Sequence, residues 1–168
     1  MSHSSQTRVQ LRTVCLFIAL GLLVGCQPTD EDPGLWLKGT EVTRPVTDWT
    51  FTHSVDEILI ETQPWYGLPH STTIWCVQLD GALYIGSYGN ERKHWEKSIA
   101  NDPRARLSIQ GDLYPVQIRP VIGGELSQQI LERYNQKYDM EEVFGKDVPE
   151  WWFYQVEQPE ASAKKKPS

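Results

Sequence analysis

Arg92, Lys93 and His94 stand together ahead of Trp95, in a stretch that runs from Tyr84 to Ile109. A strand-like run leads in through Ser87, Tyr88, Gly89 and Asn90, and Asn101-Asp102-Pro103 leads out to a second strand-like run. One chemistry suits such a stretch well. The free amides and positive dipole end of a helix N-terminus, with adjacent Arg and Lys, hold an anion such as a phosphate. The alternative is no chemistry at all, because a basic pair on an exposed helix face is most often simply solvated.

The other reactive side chains form no catalytic set. His53, His70 and His94 are not spaced like metal ligands on one helix face. Cys15 and Cys26 belong to the leader discussed next, so Cys76 is the single thiol of the body; it can form no internal disulfide and makes a poor metal site. No serine elbow, Cys–His pair or paired inward carboxylates stands out for hydrolysis.

The leader is informative. Arg8 and Arg12 are the only charges before Asp30, and the apolar run from Val14 to Val24 is too short to span a bilayer as a stable helix. It ends in Leu23-Val24-Gly25-Cys26, which resembles the bacterial lipobox, and this implies cleavage before Cys26 and diacylglycerol on its thiol. An uncleaved anchor or an ordinary cleaved signal are the alternatives, and each also exports the globular part. Gln27, rather than Asp, fits outer-membrane sorting in a Gram-negative cell. The expected place is therefore the cell envelope, on the periplasmic face of a membrane.

The chain from Cys26 has 143 residues, enough for one core and not for two. Without Arg8 and Arg12 the formal charge of −6 becomes −8, an acidic balance that disfavours nucleic acid as a partner. Residues 1–25 are expected as signal peptide, 26–46 as a flexible tether rich in Pro, Thr, Asp and Gly, 47–157 as the folded domain, and 158–168 as a disordered tail holding Lys164-Lys165-Lys166.

Six strands and two helices can be placed in the domain. Glu57 to Thr62 alternates and is β-branched, with a one-turn helix before it as the alternative, since Ser54-Val55-Asp56-Glu57 has the form of a capping box. The loop from Gln63 to His70 carries two prolines and a glycine. Thr72–Leu79 and Ala82–Ser87 flank Asp80-Gly81, which suits a type I′ hairpin turn. Both faces of the first of these strands are apolar, so it is expected in the middle of its sheet.

Glu91 to Ala100 is expected as a short helix capped by Asn90, and Ala105 to Ile109 as a strand. Gly111-Asp112 allows a tight turn, and Leu113 to Val121 reads as a strand pushed to a sheet edge by Pro115 and Pro120. A second helix from Glu125 to Tyr138, an acidic linker and a last strand from Glu150 to Val156 complete the order. Antiparallel hairpins without βαβ units predict a mainly β (α+β) fold: a small six-stranded antiparallel barrel with two peripheral helices.

In this order, "TTIWCVQLDGALYIGSYG", the Trp-bearing short helix, "ANDPRARLSIQGDLYPVQIRPV" and a helix ending "RYNQKY" resemble the split β-barrels of pyridoxamine-phosphate-oxidase-like proteins and deazaflavin-dependent nitroreductases. The likeness is nearest to a domain-of-unknown-function branch and covers roughly residues 57–156. It implies a homodimer with a flavin-type cofactor between protomers. By the same resemblance Thr72, Thr73 and Trp75 fall on the cofactor-lining strand, and Ser87, Tyr88, Arg92 and Lys93 fall at the phosphate-gripping turn. The chain departs from the family in the loop Gln63 to Ser71, which has no Arg or Lys, so half of the expected phosphate clamp is missing.

An FMN-type flavin is the expected cofactor if there is one, a deazaflavin with an anionic tail is disfavoured, and haem on His94 rests on a single histidine. Trp65 and Tyr66 suit stacking on a flat ligand, contact with lipid, or sealing of the barrel mouth or a dimer seam. Trp75, Trp95, Trp151 and Trp152 are expected in the core or a dimer contact. Two functions follow: a ligand-binding or envelope-interaction module, and a flavin- or deazaflavin-dependent oxidoreductase whose chemistry the cofactor supplies.

Overall fold

The structure is a computed structural model that describes residues 34–146 and 149–159; the leader, Cys26 and the lysine tail lie outside the described residues. Seven strands are present among the described residues: β1 (Thr40–Glu41), β2 (Glu57–Thr62), β3 (His70–Leu79), β4 (Ala82–Tyr88), β5 (Arg104–Ile109), β6 (Asp112–Pro120) and β7 (Trp151–Glu157). A 3-10 turn (Thr50–Ser54) precedes β2, and the helices are α1 (His94–Ile99), α2 (Gly124–Lys137) and α3 (Met140–Phe144). The strands pair in the order β1-β6-β5-β2-β3-β4-β7, and a β6–β7 pairing closes six of them into an antiparallel barrel, with β1 outside and parallel to β6.

Alternation in the strands builds two cores. Ile58, Ile60, Ile74, Cys76, Leu83, Ile85, Leu107, Ile118 and Val156 form the barrel interior with Trp95 and Ile99 of α1. On the opposite faces of β3, β4 and β7, the residues Val77, Tyr84 and Phe153 pack under Ile130 and Tyr134 of α2. Those strands are therefore apolar on both faces, as their sequences require. β3 lies between β2 and β4, the central place expected for it.

The hairpin turn is as expected, with Asp80 at φ 52° and Gly81 at φ 80°. The second tight turn is centred on Gln110 (φ 53°) and Gly111 (φ 90°), one residue earlier than expected. β6 is not an edge strand. Its outer neighbour is β1 at Asp112 and Leu113 and β7 from Gln117 to Pro120, and Pro115 sits in the interval between them, where neither ladder needs its missing N–H. The acidic linker contains α3, capped by the Asp139 carboxylate accepting from the Glu142 amide at 2.9 Å.

The segment expected as tether is laid against the barrel from Gly34 onward. Gly34 and Ser71 exchange two hydrogen bonds, at 3.0 and 2.9 Å, and the Leu37 amide donates to Glu61 at 2.6 Å. Glu61 also accepts both arms of Arg106, at 2.9 and 2.7 Å. Leu37 itself is buried. A carboxylate with a backbone donor and a forked guanidinium is fully satisfied, which permits its burial.

The barrel is split between β3 and β4. Their ladder covers only Cys76↔Ile85 to Leu79↔Ala82; before Cys76, β3 pairs with β2, and after Ile85, β4 pairs with β7. At the vertex, the Tyr134 hydroxyl donates to the Trp75 carbonyl at 2.9 Å and accepts from the Gly86 backbone. It stands in for the ladder bond that the diverging strands lack. Gly86 has no alternative here, since a Cβ would meet the Trp151 ring at 2.9 Å and the Tyr134 oxygen at 3.0 Å. Tyr134→Phe is expected to lower stability by about 1–3 kcal/mol, because two backbone groups lose their partner, and urea unfolding should show an earlier midpoint with an unchanged slope.

Candidate functional site

The split opens a cleft of about 840 Å³. Its walls come from the free part of β3, the end of β4, the turn that follows, α1, Trp151 of β7, and Tyr66 and His70 from the proline-rich loop and the start of β3. The seven residues singled out by resemblance all line it: Thr72, Thr73 and Trp75 on one wall, Ser87 and Tyr88 on another, and Arg92 and Lys93 in the turn. The fold gathers them because β3 and β4 part at Cys76 and Ile85, and α1 docks across the gap through buried Trp95 and Ile99.

The polar groups of the turn face inward to a carboxylate. Helix α1 begins at His94, later than the expected Glu91, and Lys93 rather than Asn90 is its cap. The reason is Glu96, whose side chain reaches back to the Lys93 amide at 2.7 Å and fixes the first turn. The Ser87 hydroxyl donates to Glu96 at 2.8 Å, the Arg92 guanidinium at 2.9 Å and the Tyr154 hydroxyl at 2.5 Å. Arg92 also donates to the Tyr154 oxygen at 2.8 Å and lies over the Trp152 ring, 4.0 Å from its centroid. Glu96 is only 3% exposed.

Burial pushes the Glu96 carboxyl up, but Tyr154, the Lys93 amide, Ser87 and Arg92 outweigh it and hold it below its ordinary value of 4.5. Burial, and then donation to Glu96, push the Tyr154 phenol far up, so it remains a donor. Glu96, the centre of this network, is the residue that sequence reading did not single out. Its signal was available in its place three residues after Lys93, where a capping carboxylate belongs.

The other predicted residues have partners of their own. The Trp75 ring stacks on Tyr138 at 4.4 Å, with interplanar angle 8°, and its indole donates to Glu57 at 3.3 Å. The Lys93 ammonium lies 5.2 Å from the centroid of Tyr88, and makes no ion pair among the described residues. Thr73 is exposed and Thr72 half-buried. His94 stands at the cleft wall, His70 bonds Tyr66 at 2.6 Å, and no three metal-ligating side chains lie together among the described residues. Cys76 is fully buried; burial pushes its thiol up to about 11 despite Lys137 beside it, which leaves it an inert core residue.

A family model described as "Uncharacterized protein conserved in bacteria (DUF2255)" matches residues 51–149. No curated protein matches the chain. Among solved structures, the Agrobacterium tumefaciens protein Atu2129, of unknown function, is 16% identical with TM-score 0.52, over 67% of this chain and 52% of that one. This chain therefore spans about half the length of that protein. A structure described as a domain-swapped dimer is 13% identical with TM-score 0.50, over 61% of this chain and 81% of the other. An F420-H2 dependent reductase is 13% identical with TM-score 0.46, over 61% and 95%. The first two likenesses show the same fold.

The folded Glu96 carboxyl titrates below its unfolded value, so its network contributes fully at pH values above the ordinary value of 4.5 and is lost as the pH falls through the folded value. Glu96→Gln places an amide opposite the Lys93 N–H and is expected to cost about 1–3 kcal/mol at neutral pH. Chemical unfolding of both proteins across the acid range should show that gap closing as the pH drops below about 4.

Proposed function

The chain belongs to the DUF2255 family of bacterial proteins, and from that premise we propose that it is an exported, lipid-anchored binding module whose split-barrel cleft takes a flat ligand without a phosphate. The observation that supports this reading is Glu96. At the turn where the resemblance puts a cofactor phosphate, Ser87, Arg92 and the Lys93 amide already hold a carboxylate. A phosphate brought there would meet a like charge and donors that are already engaged. The loop from Gln63 to Ser71 supplies no Arg or Lys to offset it.

A flavin mononucleotide therefore does not fit these residues at its phosphate end. What remains open in the cleft is aromatic surface from Trp75, Tyr88, Trp151 and Tyr66, with hydroxyls from Thr72 and Thr73 and the ammonium of Lys93. That lining suits a planar ring system recognised by stacking and a few hydrogen bonds. The homodimer implied by the resemblance remains part of the proposal, as does attachment to the membrane through Cys26.

The competing reading, a flavin- or deazaflavin-dependent oxidoreductase, draws support from the gathering of Thr72, Thr73, Trp75, Ser87, Tyr88, Arg92 and Lys93 in one cleft. The two separate in a titration. The purified protein is expected to be colourless, and flavin mononucleotide to leave its Trp fluorescence without saturable quenching, whereas Glu96→Ala frees four donors, on Ser87, Arg92, Lys93 and Tyr154, and gains such quenching. A yellow wild-type protein, or saturable quenching that disappears in Arg92→Ala/Lys93→Ala, decides for the oxidoreductase. Metabolic labelling with palmitate tests the anchor: label is expected on the wild-type protein and absent from Cys26→Ala.

A further inference from the structure

Five of the nine exposed large hydrophobic side chains among the described residues sit on two neighbouring segments: Leu35 and Trp36 on one, and Trp65, Tyr66 and Leu68 on the other. Trp65 is 92% exposed and Trp36 62%. The two segments meet where Gly34 and Ser71 exchange their hydrogen bonds, and His70, next to Ser71, bonds Tyr66. Neither core cluster claims any of the five. Exposed apolar side chains concentrated at one place need a partner more than single ones scattered over a surface.

Chain length says which partner can reach them. Gly34 comes eight residues after Cys26, so a fully extended link spans at most about 28 Å. A folded body of this size measures roughly 35 Å across. A bilayer holding the acyl chains of Cys26 is thus within reach of the face around Gly34 and out of reach of the face opposite. Trp and Tyr with neighbouring Leu is also the composition that settles at the boundary between headgroups and acyl chains, where a ring buries its body and keeps its polar edge wet.

We propose that Leu35, Trp36, Trp65, Tyr66 and Leu68 form a membrane-interface patch that seats the barrel on the bilayer to which Cys26 is anchored. It rests on the lipid-anchored reading above. Seating fixes more than position. Tyr66 and His70 also line the cleft, so seating brings one wall of the cleft against the headgroup region.

The test uses the full acylated protein reconstituted in phosphatidylethanolamine and phosphatidylglycerol vesicles with brominated acyl chains. Wild-type Trp emission is expected to be quenched, and Trp36→Ala/Trp65→Ala to lose most of that quenching while still floating with the vesicles; both side chains are exposed, so the fold is unaffected. Flotation with unquenched wild-type emission overturns the patch and leaves the anchor standing. Unquenched emission with a dimer that dissociates in Trp65→Ala assigns the patch to a second copy, and overturns it likewise. Failure to float at all removes the anchor and the patch with it.

Discussion

The hydroxyl of Tyr134 at the parting of β3 and β4 is the contact on which the site depends. A sheet that closes on itself offers no gap, because each strand's donors and acceptors are spent on its two neighbours. Here the ladder stops at Cys76 and Ile85, and one side-chain oxygen takes both backbone partners at the point of separation. Tyr138 adds to the same device, its hydroxyl lying against the backbone of Asp56 and Cys76, with Lys137 donating to the carbonyls of Val55 and Cys76. Helix α2 is thereby a wedge as well as a cover.

Within that gap, Glu96 governs the electrostatics. A buried carboxylate alone is costly, and Glu96 is balanced by a direct pair with the partly exposed Arg92 and by the Tyr154 phenol, which touches both. Arg92 lies over the Trp152 ring and gives one guanidinium nitrogen to Glu96 and Tyr154, so its charge is already paired within the protein. A basic residue at a cleft wall is thus no measure of the cleft's charge. The count that matters is made after the internal pairs are removed, and it leaves Lys93 and Lys97 against Glu57 and Glu91.

Most of the fold could be read from residue order. Asp80-Gly81, the alternating runs on either side of it and the stripe of Leu126, Ile130 and Tyr134 each follow from a local rule, and the two-faced apolarity of β3 located it in the sheet. Pro115 misled, because proline's exclusion from ladders was applied to a whole strand, whereas a strand that changes neighbours has room for one at the changeover. The docked segment from Gly34 was opaque for another reason. Its polar, Pro- and Gly-containing sequence buries little; it is held by Glu61 and Arg106, which lie on strands far away along the chain. The candidate site divides in the same way. Family likeness pointed to seven of the residues that line the cleft, but what Ser87 and Arg92 bind depended on a side chain whose partner, Tyr154, is contributed by the last strand.

The fastening of the chain ahead of the barrel has a mechanical meaning. Any pull on the segment before residue 34 enters the body first at the Gly34–Ser71 bonds, then at Leu37 on the Glu61–Arg106 fork, and then along β1, which runs parallel to β6. Glu61 lies on β2 and Arg106 on β5, adjacent strands of the closed ring, so tension is shared across the ring's own hydrogen bonds instead of peeling one strand away. The first part to yield under traction would be the stretch from Gly34 to Glu41, while the ring, the wedge of Tyr134 and the Glu96 network stay whole. The body thus carries its own strain relief between whatever holds its N-terminal side and the cleft.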